Sequence, residues 1–351
     1  MASAVRLCMI IFWVVLFIAF LFIPLMLTWR SETKELNVLV MPNLINADYL
    51  DAFEKAHHIK VNLSYAESNE EVVMKMQATH GLGYDLIMVS DYAIPPLIKD
   101  GLIQKIDKKK LPFFKDFYPA LLNHVFDRDN EYSVPYYWGV YGFGIDKNYF
   151  KNKHSFDWSD LFDVQHMPYF VGMRESPREL ILIAAFYLFG RIDHLGDEEY
   201  DAIKRLLIAQ KTHVVMYADE RINNLLVSQE CPLILTISGD IAHTVRRYET
   251  IDFVLPTSGG FVDIDSFVIP IASHHVEEAH AFLTYIYDVS ILKKYIKLFD
   301  FFSPLQTVKV HPTLAKLAIP TPEMFERLLF FDAQLSPDII DDITIALKTA
   351  P

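Results

Sequence analysis

The sequence predicts an α/β protein of two lobes, each built on a parallel sheet with helices on both faces, preceded by an N-terminal membrane helix. Three observations carry that expectation. At 351 residues the chain exceeds what one ordinary hydrophobic core organises, so two units are expected. Strand and helix signals alternate strictly after residue 35, the pattern of βαβ units. No Gly/Ser-rich linker and no internal repeat separates the halves, which fits a chain that crosses between the lobes more than once.

The first element is the apolar run of residues 8–29, long enough to span a bilayer as a helix and flanked by Arg6 and Arg30. Two readings of it compete. A secretory signal peptide has a shorter apolar core and a small-residue cleavage site, whereas here the core is followed by Leu27, Thr28, Trp29 and Arg30. That context favours an uncleaved anchor. Lipidation at Cys8 is discounted, because Val5, Arg6 and Leu7 precede it and the apolar run follows it.

Residues 36–40 then read as a buried strand, 46–57 as a helix and 59–65 as a strand. Ser68 with Glu71 forms a capping box ahead of helical 72–79, followed by a strand at 84–89 and a short helix at 95–100. The style repeats from 138 to 256, with helices at 178–188, 197–211 and 221–228 and strands at 214–217 and 232–237. Residues 261–271 form a β-rich run, and a 3.6-residue period makes 276–350 mostly helical. Open α/β sheets place ligands at the carboxyl ends of strands. The candidate site regions are therefore the loops at 90–93, 172–179 and 238–240, the last read as a turn.

Composition narrows the function. The formal net charge of -13 argues against a nucleic-acid partner, since binding the phosphate backbone needs a basic footprint. Cys8 and Cys231 are the only cysteines, so a disulfide framework and a cysteine zinc site within one chain are excluded. There is no P-loop, and Gly81-Leu82-Gly83 is too short for a dinucleotide fingerprint. The pairs His57-His58 and His274-His275 are adjacent, and so point in different directions, which makes poor chelates. No cofactor and no metal are expected. Ser238-Gly239-Asp240 follows an apolar strand, but the Gly-x-Ser-x-Gly elbow is absent. Binding is favoured over catalysis; an enzyme would have to draw on Ser238, Asp240 and Asp263.

Six segments, in order along nearly the whole chain after the apolar run, narrow the reading further. They are SYAESNEE (64–71), YDLIMVSDY (84–92), DGLIQKIDKKKL (100–111), YSVPYYWGVYGFGI (132–145), SFDWSDLF (155–162) and GGFVDIDSFVIP (259–270). Together they resemble the spermidine/putrescine-binding proteins of polyamine ABC transporters. The resemblance implies the type II periplasmic-binding-protein fold, closing by hinge motion over a small cationic, polyamine-like solute and delivering it to a membrane permease. It implies a periplasmic or extracytoplasmic monomer, held at the inner membrane by the N-terminal helix unless that is cleaved. The lobes are expected at 36–139 with 264–309, and at 140–263 with 310–351.

A protonated amine on a flexible chain asks for carboxylates and aromatic walls. By the resemblance, Ser90 and Tyr92 fall on a family Ser and Tyr, Glu179 on a family carboxylate, and Asp265 on the aspartate that grips an amine. Where the family has aromatic residues this chain has Met41, Leu44, Ile237 and Asp263, and Ser176 stands where it has an aspartate, with Glu175 beside it. The expected binding set is Ser90, Tyr92, Glu175, Glu179, Asp263 and Asp265, with Asp91 and Asp240 near it. Loss of the flat walls leaves open a different solute on the same fold.

Overall fold

The computed structural model describes residues 34–350 except Asp300, His311 and Gln334, together with Trp13 and Phe17. The expected membrane segment at 8–29 thus lies outside the described residues but for those two positions. Among the described residues no helix is long and apolar enough to cross a membrane.

Among the described residues eleven strands make up the sheet. They are β1 (Lys34–Val40), β2 (Ile59–Tyr65), β3 (Leu86–Ser90), β4 (Ile103–Gln104), β5 (Ser133–Asp146) and β6 (Val171–Met173), then β7 (Val214–Tyr217), β8 (Leu233–Ile237), β9 (Ile251–Val254), β10 (Gly260–Pro270) and β11 (Leu328–Phe330). Their order is β2-β1-β3-β10-β5-β8-β6-β7, with β4 and β11 on β10 and β9 on β5. The outer strands pair in parallel, β1 with β2 and β3 on one side and β6 with β7 and β8 on the other. The expectation of parallel sheets fails at the centre. There β10 runs antiparallel to β3 and β5, and β5 antiparallel to β8 and β9. These two long strands cross from one half of the sheet to the other.

Helices cover both faces, as the alternation required. In β1 and β3, Leu36, Val38, Val40, Leu86 and Met88 pack with Phe53, Phe282 and Leu283. Their neighbours Leu39, Ile87 and Val89 pack with Val72, Met76, Ile94 and Leu97. A strand whose alternate residues enter two cores is buried on both sides, which is why these segments read as apolar runs. The other half repeats the arrangement. Val171, Met173, Leu233 and Leu235 meet the helices Pro177–Phe189 and Asp197–Lys211, while Ile234 meets Ile222, Leu225 and Ile241.

Local chemistry sets several boundaries. Ser68 Oγ accepts from Glu71 N (3.2 Å) and so caps the helix Asn69–Thr79, but the Glu71 carboxylate accepts from Glu67 N (2.8 Å), not from Ser68. The expected helix at 46–57 is a 3-10 turn, Ala47–Tyr49, opened by the Asn46 side chain, followed by a helix at Asp51–His57. Residues 238–240, read as a turn, begin the helix Ser238–Arg247. The region 276–350 holds helices at Val276–Ile286, Val289–Phe299 and Pro337–Thr349. Between them, Pro312, Pro320 and Pro322 keep helical stretches short, and β11 forms there.

β5 is a strand that sequence periodicity does not predict: it carries Pro135, Gly139, Gly142 and Gly144, residues that weaken a strand. Close packing explains the three glycines, each of which would bring a Cβ within 3 Å of a neighbour. A Cβ on Gly139 would lie 2.2 Å from Ile237 Cγ2 on β8. Gly139→Ala is therefore expected to lower stability by about 2 kcal/mol in urea unfolding. The double change with Ile237→Ala should fall well short of the sum of the two single effects.

Candidate functional site

Strand ends from both halves of the sheet bring the acidic residues together. Ser90 ends β3, and Asp91-Tyr92-Ala93 form the turn that follows it. Antiparallel pairing puts Asp265 of β10 opposite Ser90 on one side and Tyr137 of β5 on the other. Asp263, two residues earlier, falls on the same face of β10, while Val262 and Ile264 pack into the core. Ser90 Oγ donates to Asp265 Oδ1, and Asn69 brackets Ser90 by donating to its Oγ (2.8 Å) and accepting from its N (2.8 Å). Asp91 is fully buried, and its Oδ2 accepts from Ile264 N (3.3 Å).

The other half contributes Arg174 directly after β6, and Glu179 in the first turn of the helix Pro177–Phe189, where Ser176 Oγ accepts from Glu179 N (3.4 Å). Asp240 lies in the first turn of the helix after β8 and accepts from Tyr137 Oη (3.1 Å). Carboxylates in a first turn meet the positive end of the helix dipole, which helps to hold them ionised. Arg174 links Glu179 and Asp240 to a third acid, Asp219. Its Nε donates to Glu179 (3.3 Å) and its Nη1 to Asp240 (2.8 Å), and its Nη2 pairs with Asp219 (3.3 Å).

These charges shape one another. Burial raises the Asp265 carboxyl to about 6, with Glu179 and Asp240 adding to the rise and the Ser90 hydrogen bond opposing it. Burial likewise pushes Asp263 and Asp91 well above the usual carboxylate range, reinforced for both by the Asp265 charge. Glu179 is raised by burial and held back by Arg174. Three crowded carboxyls with no cation among them cannot all ionise cheaply. Oδ1 of Asp91 and Oδ1 of Asp263 are buried without a hydrogen-bond partner, an arrangement that is costly until a donor arrives.

Beside this cluster lies a cavity of about 630 Å³, walled by residues that include Met41, Glu70, Tyr92, Arg174, Glu179 and Asp219. That volume suits a small organic solute. Tyr92 donates from Oη to Glu70 Oε1 (3.2 Å), and the Arg178 guanidinium lies 4.3 Å from the centre of its ring. Arg178 is anchored by donating to the carbonyls of Phe331 (2.8 Å) and Ala333 (2.6 Å).

The six expected residues divide between these two places. Tyr92, Glu175 and Glu179 line the cavity, with Glu175 exposed at its mouth. Ser90, Asp263 and Asp265 are not on its wall and belong to the adjoining buried cluster. Of the positions that replace family aromatics, Met41 lines the cavity, whereas Leu44 is core and Ile237 packs over Gly139. Ser238, the candidate nucleophile, is buried, and its Oγ accepts from Val140 N (3.0 Å). Sequence reasoning missed Arg174, although it sits inside the loop at 172–179 that the strand-end rule singled out. It also missed Asp219, Tyr137 and Asn69, which carry no local signal.

Comparison with known proteins fits this geometry. The model of a family described as bacterial extracellular solute-binding protein matches residues 48–321. The spermidine/putrescine-binding periplasmic protein of Escherichia coli is 29% identical over 302 residues, covering 84% of this chain and 78% of its own. A solved chain from Listeria monocytogenes has the same fold, with a TM-score of 0.79 at 23% identity over 91% of this chain and 100% of that one. The spermidine/putrescine ABC transporter substrate-binding protein PotD of Streptococcus pneumoniae follows at a TM-score of 0.72 and 18% identity, over 90% and 99%.

Proposed function

The chain belongs to the family of bacterial extracellular solute-binding proteins, and from that premise we propose that it captures a cationic, polyamine-like solute for an ABC importer. The observation that carries this reading is the acidic group of buried Asp91 and Asp265 with half-buried Asp263, in which two buried carboxylate oxygens lack a donor. An ammonium group supplies what these oxygens lack, namely N–H donors and a positive charge, and its desolvation is offset by charge-assisted hydrogen bonds. The names of the relatives support the same solute class. Ser90, Tyr92, Glu175, Glu179, Asp263 and Asp265 form the proposed binding set.

The remaining parts of the reading follow the family pattern. Lobes at 36–139 with 264–309 and at 140–263 with 310–351 close over the solute by bending where β5 and β10 cross between them. The segment 8–29 anchors a monomer at the outer side of the inner membrane, facing its permease. Turnover is not part of the role, because the family is one of binding proteins.

Proton release on binding tests the proposal. In the free site the carboxyls are raised, Asp265 to about 6. A bound cation favours their ionised forms and lowers those values, so affinity rises with pH and falls as pH drops through about 6. Calorimetric titration of the full chain with putrescine and spermidine, in two buffers of different ionisation enthalpy, should show saturable binding with net proton release near neutral pH. Saturable binding with no proton exchange, or no binding of either amine, would count against it.

A further inference from the structure

We propose that Arg174 occupies, from within the protein, the place of a solute cation on the β6–β8 side of the cleft, so that the site takes a solute with a single buried ammonium group. The inference rests on the cationic-solute reading above and narrows it. The surroundings of Arg174 are those expected of a bound cation. Three carboxylates, Glu179, Asp219 and Asp240, each engage a different guanidinium nitrogen, and the guanidinium carbon lies 5.6 Å from the centre of the Tyr141 ring. Only 10% of the Arg174 side chain is exposed. Carboxylates beside an aromatic face are what an amine or guanidine solute would seek, but here they are already filled.

A second solute ammonium on that side would meet the fixed charge of Arg174 at close range in a poorly screened place, where like charges repel strongly. The other acids of the site differ. Among the described residues Asp91 and Asp265 take hydrogen bonds from Ser90 and from backbone N–H groups, and one oxygen each of Asp91 and Asp263 has no donor. The cleft therefore holds one unfilled cation position beside one filled by the protein itself. Glu67, Glu70 and Glu175 at the mouth are exposed. A second ammonium resting there would remain hydrated and would add little to affinity. The matching solute carries one terminal ammonium and a neutral chain that lies along Met41 and Tyr92.

The test compares putrescine with n-butylamine, a monoamine of the same chain length, on the purified full chain by calorimetry. Wild-type protein should bind the two within about threefold, since only one ammonium is buried. Arg174→Gln frees the three carboxylates and should bind putrescine about tenfold more tightly than wild type, with a smaller gain for n-butylamine, which has one ammonium to place. Arg174→Lys keeps a cation in place and should retain the wild-type ratio. A wild-type preference for putrescine of about a hundredfold, or a loss of putrescine affinity in a folded Arg174→Gln protein, would overturn the proposal while leaving cation capture intact. If wild type binds neither amine, both fall. The wild-type ratio decides the matter if Arg174→Gln does not fold.

Discussion

Asp265→Asn is expected to weaken putrescine binding by about a hundredfold, the effect of truncating one partner of a buried charge-assisted hydrogen bond. The same change should make the ligand-free protein more stable. At pH 7.5 the Asp265 carboxyl, raised to about 6, is ionised in the folded state although burial and the charges of Glu179 and Asp240 disfavour it. A rise from 3.8 to about 6 sets an upper limit of about 3 kcal/mol on that penalty. An amide of nearly the same shape removes it, and the midpoint of thermal unfolding should rise by a few degrees. The sign depends on pH. The proton bound by folded Asp265 stabilises the native state fully below about 4, and that contribution is lost as pH rises through about 6. The advantage of the asparagine variant should therefore be present above about pH 6 and disappear toward pH 4. Unchanged affinity in the variant would remove Asp265 from the binding set.

Trp158→Ala is expected to lower stability by about 3–5 kcal/mol, the range for emptying a large buried aromatic site. Trp158 is 1% exposed and packs edge-on against Phe143 of β5 and Phe261 of β10, at 5.3 and 5.9 Å between ring centres. Its Nε1 donates to Gly259 O (3.0 Å), at the glycine whose φ of +117° turns the chain into β10. One side chain thus ties both crossing strands and fixes the start of the strand that carries Asp263 and Asp265. Denaturant unfolding checks the loss. A decrease below about 1 kcal/mol would mean that the surroundings collapse into the space and that Trp158 does not set the position of β10.

Which parts of this structure could be read in advance follows from how local each signal is. The strands at 59–65 and 214–217 and the helix at 197–211 coincide with their expected bounds, because burial pattern and termini are written within the segment itself. At the antiparallel centre of the sheet β8 and β10 were legible as strands, but β5 had no such signal. β5 is buried along nearly its whole length, so it shows no alternation, and its glycines answer to side chains on other strands, as Gly139 does to Ile237. The helix at Ser238 has no capping signal in the sequence, because Ser238 does not cap it. The N-cap is Ile237, without a side-chain bond, and the Ser238 hydroxyl serves β5 instead.

The site divides along the same line. Asp263 and Asp265 stand out as alternating acids in an apolar run, a pattern that asks for an explanation on sequence alone. Arg174 does not, because its partners Glu179, Asp219 and Asp240 come from separate segments that only the ends of β6, β7 and β8 bring together. The expected acids Glu175, Glu179, Asp263 and Asp265 came with no countercharge, and the structure sets Arg174 against Glu179. A buried arginine among them changes which solute the same carboxylates can hold.

The most direct test of cation capture is a crystal structure of the full chain grown with putrescine. The expected result is one ammonium nitrogen within about 3 Å of carboxylate oxygens of Asp263 and Asp265, with Arg174 still bonded to Glu179 and Asp240. Putrescine seated only against Glu67, Glu70 and Glu175 at the mouth, with the buried carboxylates untouched, would contradict it.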